Sequence, residues 1–190
     1  MVGSTKKYVP MISLYSARIG SGANGAVWQV SPKIVAKTFS NSASGRAEIN
    51  MMLHLRKARF VPKIHYYQRS VPIYFMNSLP SGTMTLWKWL KHPHTDAQIK
   101  NVYKQIHDNV DTLHRKFDVS HGDLHSENIM VDPKGKVWII DFGRSQRLWL
   151  RGENEVYNNS NKSGTHNGVT TYNFGFLARK NANMLKKYPL

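Results

Sequence analysis

The 190-residue sequence contains no cysteine. That absence excludes a disulfide scaffold, thiolate metal sites and cysteine nucleophiles together. Acidic residues are scarce: eleven Asp and Glu face twenty-seven Lys and Arg, a formal net charge of +16. Long apolar runs are missing, and none approaches the roughly 18 residues of a membrane-spanning helix. The first residues, Met1-Val2-Gly3-Ser4-Thr5-Lys6-Lys7, are too polar for a secretory signal. Hydrophobic residues make up 41%, enough to bury a core, so wholesale disorder is excluded. The length suits one ordinary domain, or two lobes sharing a core. An intracellular protein is expected, cytoplasmic or nuclear, and its charge raises nucleic acid as a partner.

The positive excess is unevenly placed. Residues 1 to 76 carry eleven Lys and Arg and one acid, Glu48, a net +10. Residues 77 to 143 carry eight of each sign and balance at zero. Residues 144 to 190 carry eight basic residues against Glu153 and Glu155, a net +6. A lobe boundary near 76 follows as an expectation, with residues 1–76 as one lobe and 77–190 as the other.

Periodicity and turn chemistry supply a coarse order of elements. Short runs from Tyr15 to Ile19 and from Ala26 to Val30 flank a glycine-rich stretch and predict a hairpin. Ile34 to Phe39 predicts a third strand. Ser44 to Arg59 predicts a helix, with Ser42 or Ser44 as its cap. Ile64 to Gln68 and Pro72 to Met76 predict two further strands. Thr83 to Leu90 predicts a short helix, and Ala97 to Phe117 a long amphipathic one. Ile129 to Val131 and Val137 to Ile140 flank the turn Asp132-Pro133-Lys134-Gly135. Residues 152 to 171 read as a loop, and Tyr172 to Lys187 as a final helix. Strands and helices segregated in this way indicate an α+β fold.

Four patches carry chemistry. In Ile19-Gly20-Ser21-Gly22-Ala23-Asn24-Gly25-Ala26-Val27 the glycines allow backbone N–H groups to approach phosphate oxygens. In Val35-Ala36-Lys37 a lysine sits within an apolar strand. Glu48, eleven residues on, is a reasonable partner that would hold it against phosphates. In His121-Gly122-Asp123-Leu124-His125-Ser126-Glu127-Asn128 a carboxylate and an amide stand five residues apart. Asp123 can accept a hydroxyl proton and Asn128 can hold a divalent ion. In Ile139-Ile140-Asp141-Phe142-Gly143 an acid at a strand exit suits a magnesium ligand. His121 and His125 lie on a loop and show no zinc spacing; His121 is expected to pack beneath the loop.

In this order the patches resemble the protein kinase superfamily, over about Ile19 to Gly143. The resemblance implies a bilobal fold: an antiparallel N-lobe sheet with its helix C, and a truncated helical C-lobe. It implies ATP and Mg²⁺ as cofactors and a protein hydroxyl as acceptor. By resemblance Lys37 binds the α/β-phosphates and Glu48 pairs with it. Asp123 is the catalytic base, and Asn128 and Asp141 hold the metal. Met76-Asn77-Ser78-Leu79 is similar to a gatekeeper and hinge, with Met76 as gatekeeper and the backbone of Asn77 and Leu79 facing the adenine. Residues 19–25, Val27 and Ala36 would line the nucleotide.

The sequence also departs from the family. Gly122 stands where many protein kinases have the arginine that receives an activation-loop phosphate, so no such phosphate should be needed. His125 replaces the usual lysine, and the HGDLH form resembles RIO, KEOPS-complex, aminoglycoside and lipopolysaccharide kinases. No APE motif follows Gly143. Tyr172-Asn173-Phe174-Gly175-Phe176-Leu177 resembles the start of the kinase helix F, with Thr170 in place of its aspartate and able to cap it. Little sequence follows for later helices, as in minimal viral or bacterial-effector kinases, whose location would be the host cell. The leading expectation is a minimal serine/threonine protein kinase. A small-molecule kinase and a partner-binding pseudokinase are the alternatives. Arg46, Arg56, Lys57, Arg59, Lys63 and Arg69, with His54 and His65, form a basic cluster. It is either a solvated face or the docking site of an acidic protein or a nucleic acid that activates the enzyme.

Overall fold

The computed structural model describes residues 17–22 and 25–147, and the backbone of 165–166 and 169–170. Two compact units divide between Leu79 and Pro80. The fold is α+β.

Unit 1 is built on five antiparallel strands: β1 (Ala17–Gly22), β2 (Gly25–Ser31), β3 (Ile34–Phe39), β4 (Ile64–Gln68) and β5 (Ile73–Asn77). Their spatial order is β1-β2-β3-β5-β4. β3 is therefore central, and β-branched and aromatic side chains suit its covered position. In β3, Val35, Ala36 and Lys37 are all buried. Ala36 packs with Ile73 and Phe75, and Val30, Ile34 and Tyr66 close this cluster.

Helix α1 (Ser42–His54) follows β3 and continues into a 3-10 turn, Leu55–Lys57. The expected cap at Ser42 or Ser44 is corrected: the Asn41 side chain accepts from the N–H groups of Ala43 and Ser44, at 2.8 and 3.0 Å. Asn41 lies one residue earlier in extended backbone (φ −120, ψ 124), the conformation an N-cap needs. The helix buries Gly45, Glu48, Ile49, Met51 and Met52, a stripe at helical spacing.

Unit 2 contains β6 (Met84–Thr85), α2 (Leu86–Trp89), α3 (Asp96–Phe117), β7 (Val119–Ser120), β8 (Ile129–Val131), β9 (Val137–Ile139) and β10 (Gln146–Arg147). The helix predicted over 83–90 is thus shorter, because Thr85 pairs with Met130 in β8 before its side chain caps α2 at Lys88 N. α3 opens with a Thr95–Gln98 capping box and ends at Asp118, which adopts the left-handed conformation at φ 52. Its buried face runs through Ile99, Val102, Ile106, Val110, Leu113 and Phe117.

β8 and β9 form a hairpin in register Ile129↔Ile139 and Val131↔Val137. The Asp132 carboxylate accepts from Lys134 N and Lys136 N, and Gly135 takes φ 77 to close the turn. The Gln105 amide fastens this hairpin to α3, donating to Gly135 O at 2.8 Å and accepting from Val137 N at 3.1 Å. Within the loop expected over 152–171, β11 (Thr165–His166) and β12 (Val169–Thr170) pair antiparallel. The terminal helix expected over 172–187, including the family resemblance at Tyr172–Leu177, lies outside the described residues, as do Ala23 and Asn24.

Candidate active site

Unit 1 contributes a buried ion pair. Lys37 Nζ lies 2.7 and 2.9 Å from the two oxygens of Glu48. Glu48 is 1% exposed and Lys37 7%. The Tyr74 hydroxyl donates to the same Glu48 Oε1 at 2.7 Å, and the Phe39 ring centre lies 5.4 Å from Lys37 Nζ. Desolvating two charges usually costs more than their attraction returns, so stability alone does not account for such a pair. Its result is an ammonium held in one place by two oxygens.

Gly45 makes the approach of α1 to β3 close enough for this contact. A Cβ at Gly45 would lie 2.5 Å from Pro72 Cβ and 2.8 Å from Phe39 Cγ. Neither Tyr74 nor Gly45 was among the sequence candidates. An isolated glycine inside a helical pattern was the available signal for Gly45; nothing local marks Tyr74, 26 residues from Glu48.

The glycine stretch forms the β1–β2 hairpin. Gly20 pairs with Val27, Ser21 with Ala26 and Gly22 with Gly25. A Cβ on Gly25 would overlap the Thr38 carbonyl oxygen, whereas one on Gly22 would meet nothing within 4 Å. Ile19 is 55% exposed. Val27 sits opposite Lys37, and Ala36 is fully buried opposite Phe75. At the end of β5, Met76 is half-buried. The Asn77 N–H is committed to Lys63 O at 2.9 Å and its side chain contacts His65, so only its carbonyl suits an outside donor. Leu79 is half-buried as well.

Unit 2 holds Asp123, Asn128 and Asp141 on loops fastened by hydrogen bonds. Asn128 directly precedes β8 and Asp141 follows the end of β9. Ile140 N donates to Asn128 O at 3.0 Å, extending the ladder so that Asn128 and Asp141 share one end of the hairpin. Asn128 Nδ2 donates to Asp123 O at 2.8 Å and lies 3.1 Å from His125 Nε2. With the amide nitrogen thus directed inward, Asn128 Oδ1 is the atom left for a hard cation. Asp141 adopts φ 63, a conformation that Asp tolerates better than most residues.

His121 braces the loop from beneath, as expected. It is buried, its Nε2 lies 3.0 Å from Ile140 O, and its ring packs on Phe142 with centroids 4.8 Å apart. Burial pushes its pKa down to about 4, with the Ile140 carbonyl and nearby carboxylates opposing; the imidazole is neutral at pH 7. Ser145 Oγ donates to His121 O at 2.9 Å, and β10 pairs with β7. Gly122 takes φ 75, and a Cβ there would overlap the Arg144 carbonyl oxygen. Arg144, another residue absent from the sequence candidates, places Nη1 3.4 Å from Asp123 Oδ1. That contact is long and half-exposed, so it contributes little alone.

The donor set fits a magnesium ion that takes most of its ligands from phosphates. Asp141 and Asn128 supply oxygens, and among the described residues no group of three or more His, Cys, Asp or Glu could hold a metal. Magnesium in phosphoryl transfer is commonly bound in this sparse way. No helix among the described residues is long and apolar enough to cross a membrane.

The protein kinase domain profile matches residues 15–171. A probable serine/threonine-protein kinase of fowlpox virus (strain NVSL) is 31% identical over 97 residues, covering 51% of this chain and 32% of its own length. Protein kinase 2 of Dictyostelium discoideum is 26% identical over 144 residues, covering 68% and 30%. Human mitogen-activated protein kinase kinase kinase 19 is 26% identical over 176 residues, covering 84% and 13%. The chain therefore spans a third or less of these relatives' lengths. The structure of the Cydia pomonella granulovirus kinase PK-1 superposes with a TM-score of 0.57 at 18% identity, covering 74% of this chain and 55% of that one. That likeness concerns the fold, whereas the profile runs through every patch from the glycine hairpin past Asp141 and places the chain in the protein kinase family.

Proposed function

We propose that the chain is a serine/threonine protein kinase that transfers the γ-phosphate of Mg-ATP to a protein hydroxyl. The observation that carries this reading is the end of the β8–β9 hairpin, which Asn128 and Asp141 share and where Asn128 is tied to Asp123. Mg-ATP, when bound, supplies the transferable phosphoryl group and much of the charge neutralisation.

The chain's own residues do the rest. Lys37, held by Glu48, offers a fixed positive charge to phosphate oxygens. Asn128 Oδ1 and the Asp141 carboxylate hold the cation. Asp123 orients the acceptor hydroxyl and takes its proton. The glycine hairpin offers backbone N–H groups, and the Asn77 carbonyl and Leu79 backbone the adenine contacts. Such chemistry is mostly positioning and electrostatics. The partner at this site is a protein substrate; a second partner, acidic protein or nucleic acid, is assigned to the basic surface of unit 1. The setting is cytoplasmic or nuclear.

The test is transfer of label from γ-labelled ATP with magnesium to a generic basic protein, run beside a panel of aminoglycosides. Wild-type chain is expected to label the protein, and Asp141→Ala to reduce the rate at least about 100-fold, the scale of losing a transition-state charge contact. Label on the small molecules alone, or equal labelling by Asp141→Ala, refutes the reading.

A further inference from the structure

Unit 1 has eleven Lys and Arg and a single carboxylate, Glu48, and that carboxylate is buried against Lys37. Its surface therefore has no acid of its own to offset its cations. The cations are also ordered. On α1 the residues opposite the buried stripe include Arg46, Asn50 and, one turn after the helix, Lys57; Arg46 and Lys57 are exposed. Arg46 and Asn50, four residues apart, are separated by about 6 Å along the axis, and Lys57 follows seven residues later. Arg69, from the β4–β5 connection, donates from Nη2 to Asn50 Oδ1 at 2.9 Å. This bond seats a third cation on the same line, between Arg46 and Lys57. Arg69 also lies 5.4 Å from the ring centre of Tyr67, which is 38% exposed. Arg56 and Arg59, exposed in the following turn, extend the positive face.

We propose that this face of α1 binds single-stranded nucleic acid, with the row Arg46, Arg69 and Lys57 on successive phosphates and Tyr67 as a stacking surface for a base. Two features favour a nucleic acid over an acidic protein. The charge is of one sign without interruption, which suits the evenly spaced charges of a nucleic-acid backbone. And an exposed aromatic ring beside a row of cations is the arrangement that binds single strands without sequence preference. This inference does not rest on the phosphotransfer reading, because binding is measured without ATP.

The experiment is fluorescence anisotropy of the full chain with fluorescein-labelled 20-mers of oligo-dT and oligo-rU. The triple variant Arg46→Gln, Lys57→Gln, Arg69→Gln should bind at least about 10-fold more weakly. The slope of log K against log salt should fall by about 2, since each phosphate contact on a single strand contributes about 0.7. Tyr67→Ser should weaken binding about 5-fold or more with the slope unchanged, because stacking releases no counterions. Circular dichroism melts of each variant confirm that it folds. Unchanged binding by the folded triple variant overturns the proposal. So does equal competition by polyglutamate of the same charge, which assigns the face to acidic proteins, or tighter binding of a 20-base-pair duplex.

Discussion

The two units fix their functional groups by different means. In unit 1 the side chains of regular elements meet directly: Lys37 from β3, Glu48 from α1 and Tyr74 from β5 converge in a buried cluster. In unit 2 Asp123, Asn128 and Asp141 sit on loops, and the ion pair between Arg144 and Asp123 is 3.4 Å long and part-exposed. Hydrogen bonds to backbone do the holding, from the Asn128 side chain to Asp123 O and from Ile140 N to Asn128 O, together with the glycine at 122 and the left-handed turn at Asp141. The Lys37 charge is secured by desolvated partners. Asp123, half-exposed, Asn128, buried, and Asp141, exposed, sit instead on loops tethered at their ends. The contrast predicts that unit 1 will fail thermodynamically when its side chains are cut, and that unit 2 will fail in geometry.

The largest expected effect is in unit 1. Glu48→Ala leaves Lys37 buried without its carboxylate and should cost about 3–5 kcal/mol of stability, whereas Lys37→Met with Glu48→Leu should recover most of that while remaining inactive. Denaturant unfolding followed at Trp28, the single tryptophan of unit 1, measures both. A neutral Glu48→Ala would erase the contrast.

Next comes pH. His121 and His114 both have folded pKa values lowered to about 4 by burial, from an ordinary 6.5. Below 6.5 the unfolded chain takes up protons that the folded chain refuses. Stability is therefore full above about 6.5 and falls as pH drops towards 4, by about 3 kcal/mol at most for His121. Urea unfolding between pH 6.5 and 5 should show this slope, and His121→Asn should roughly halve it, leaving the His114 share; an unaltered slope assigns the dependence elsewhere.

Gly122→Ala sharpens the comparison from the other side. The added Cβ overlaps the Arg144 carbonyl in a left-handed conformation, a strain of about 1–3 kcal/mol. Because it displaces Asp123, the transfer rate should fall at least about tenfold, out of proportion to a modest loss of melting temperature. Equal losses of both would show that the loop is held no differently from the unit 1 cluster. The smallest effect is Tyr74→Phe, which removes a hydrogen bond to Glu48 and should cost about 1 kcal/mol. An effect below detection in the same denaturant assay would show that Tyr74 does not help to fix Glu48.

What could be read from the sequence follows the range of the interactions. The β3 strand, the amphipathic α3 and the Asp132–Gly135 turn are encoded by neighbours a few residues apart, and each appears where pattern predicts it. Lys37 and Glu48 could be paired because Glu48 is the only acid before position 77. Tyr74, reaching Glu48 from 26 residues away, and Arg144, reaching Asp123 from 21, left no local trace. Asn41 displaced the expected serine caps because Asn41, Ser42 and Ser44 can all cap, and backbone conformation decides among them. Met84–Thr85 read as helix because a two-residue strand has no period of its own; its partner Met130–Val131 determines it.

The glycine hairpin contains residues under two kinds of constraint. Gly25 is required by its own sheet, since any side chain would strike Thr38, while Gly22 faces open space. A mutational scan of this stretch would thus mix two signals. Inactive variants at 25 report on whether the sheet assembles, and variants at 22 report on what the hairpin touches. Nucleotide affinity measured at Gly22→Ala, in a chain whose melting temperature is unchanged, isolates the second signal.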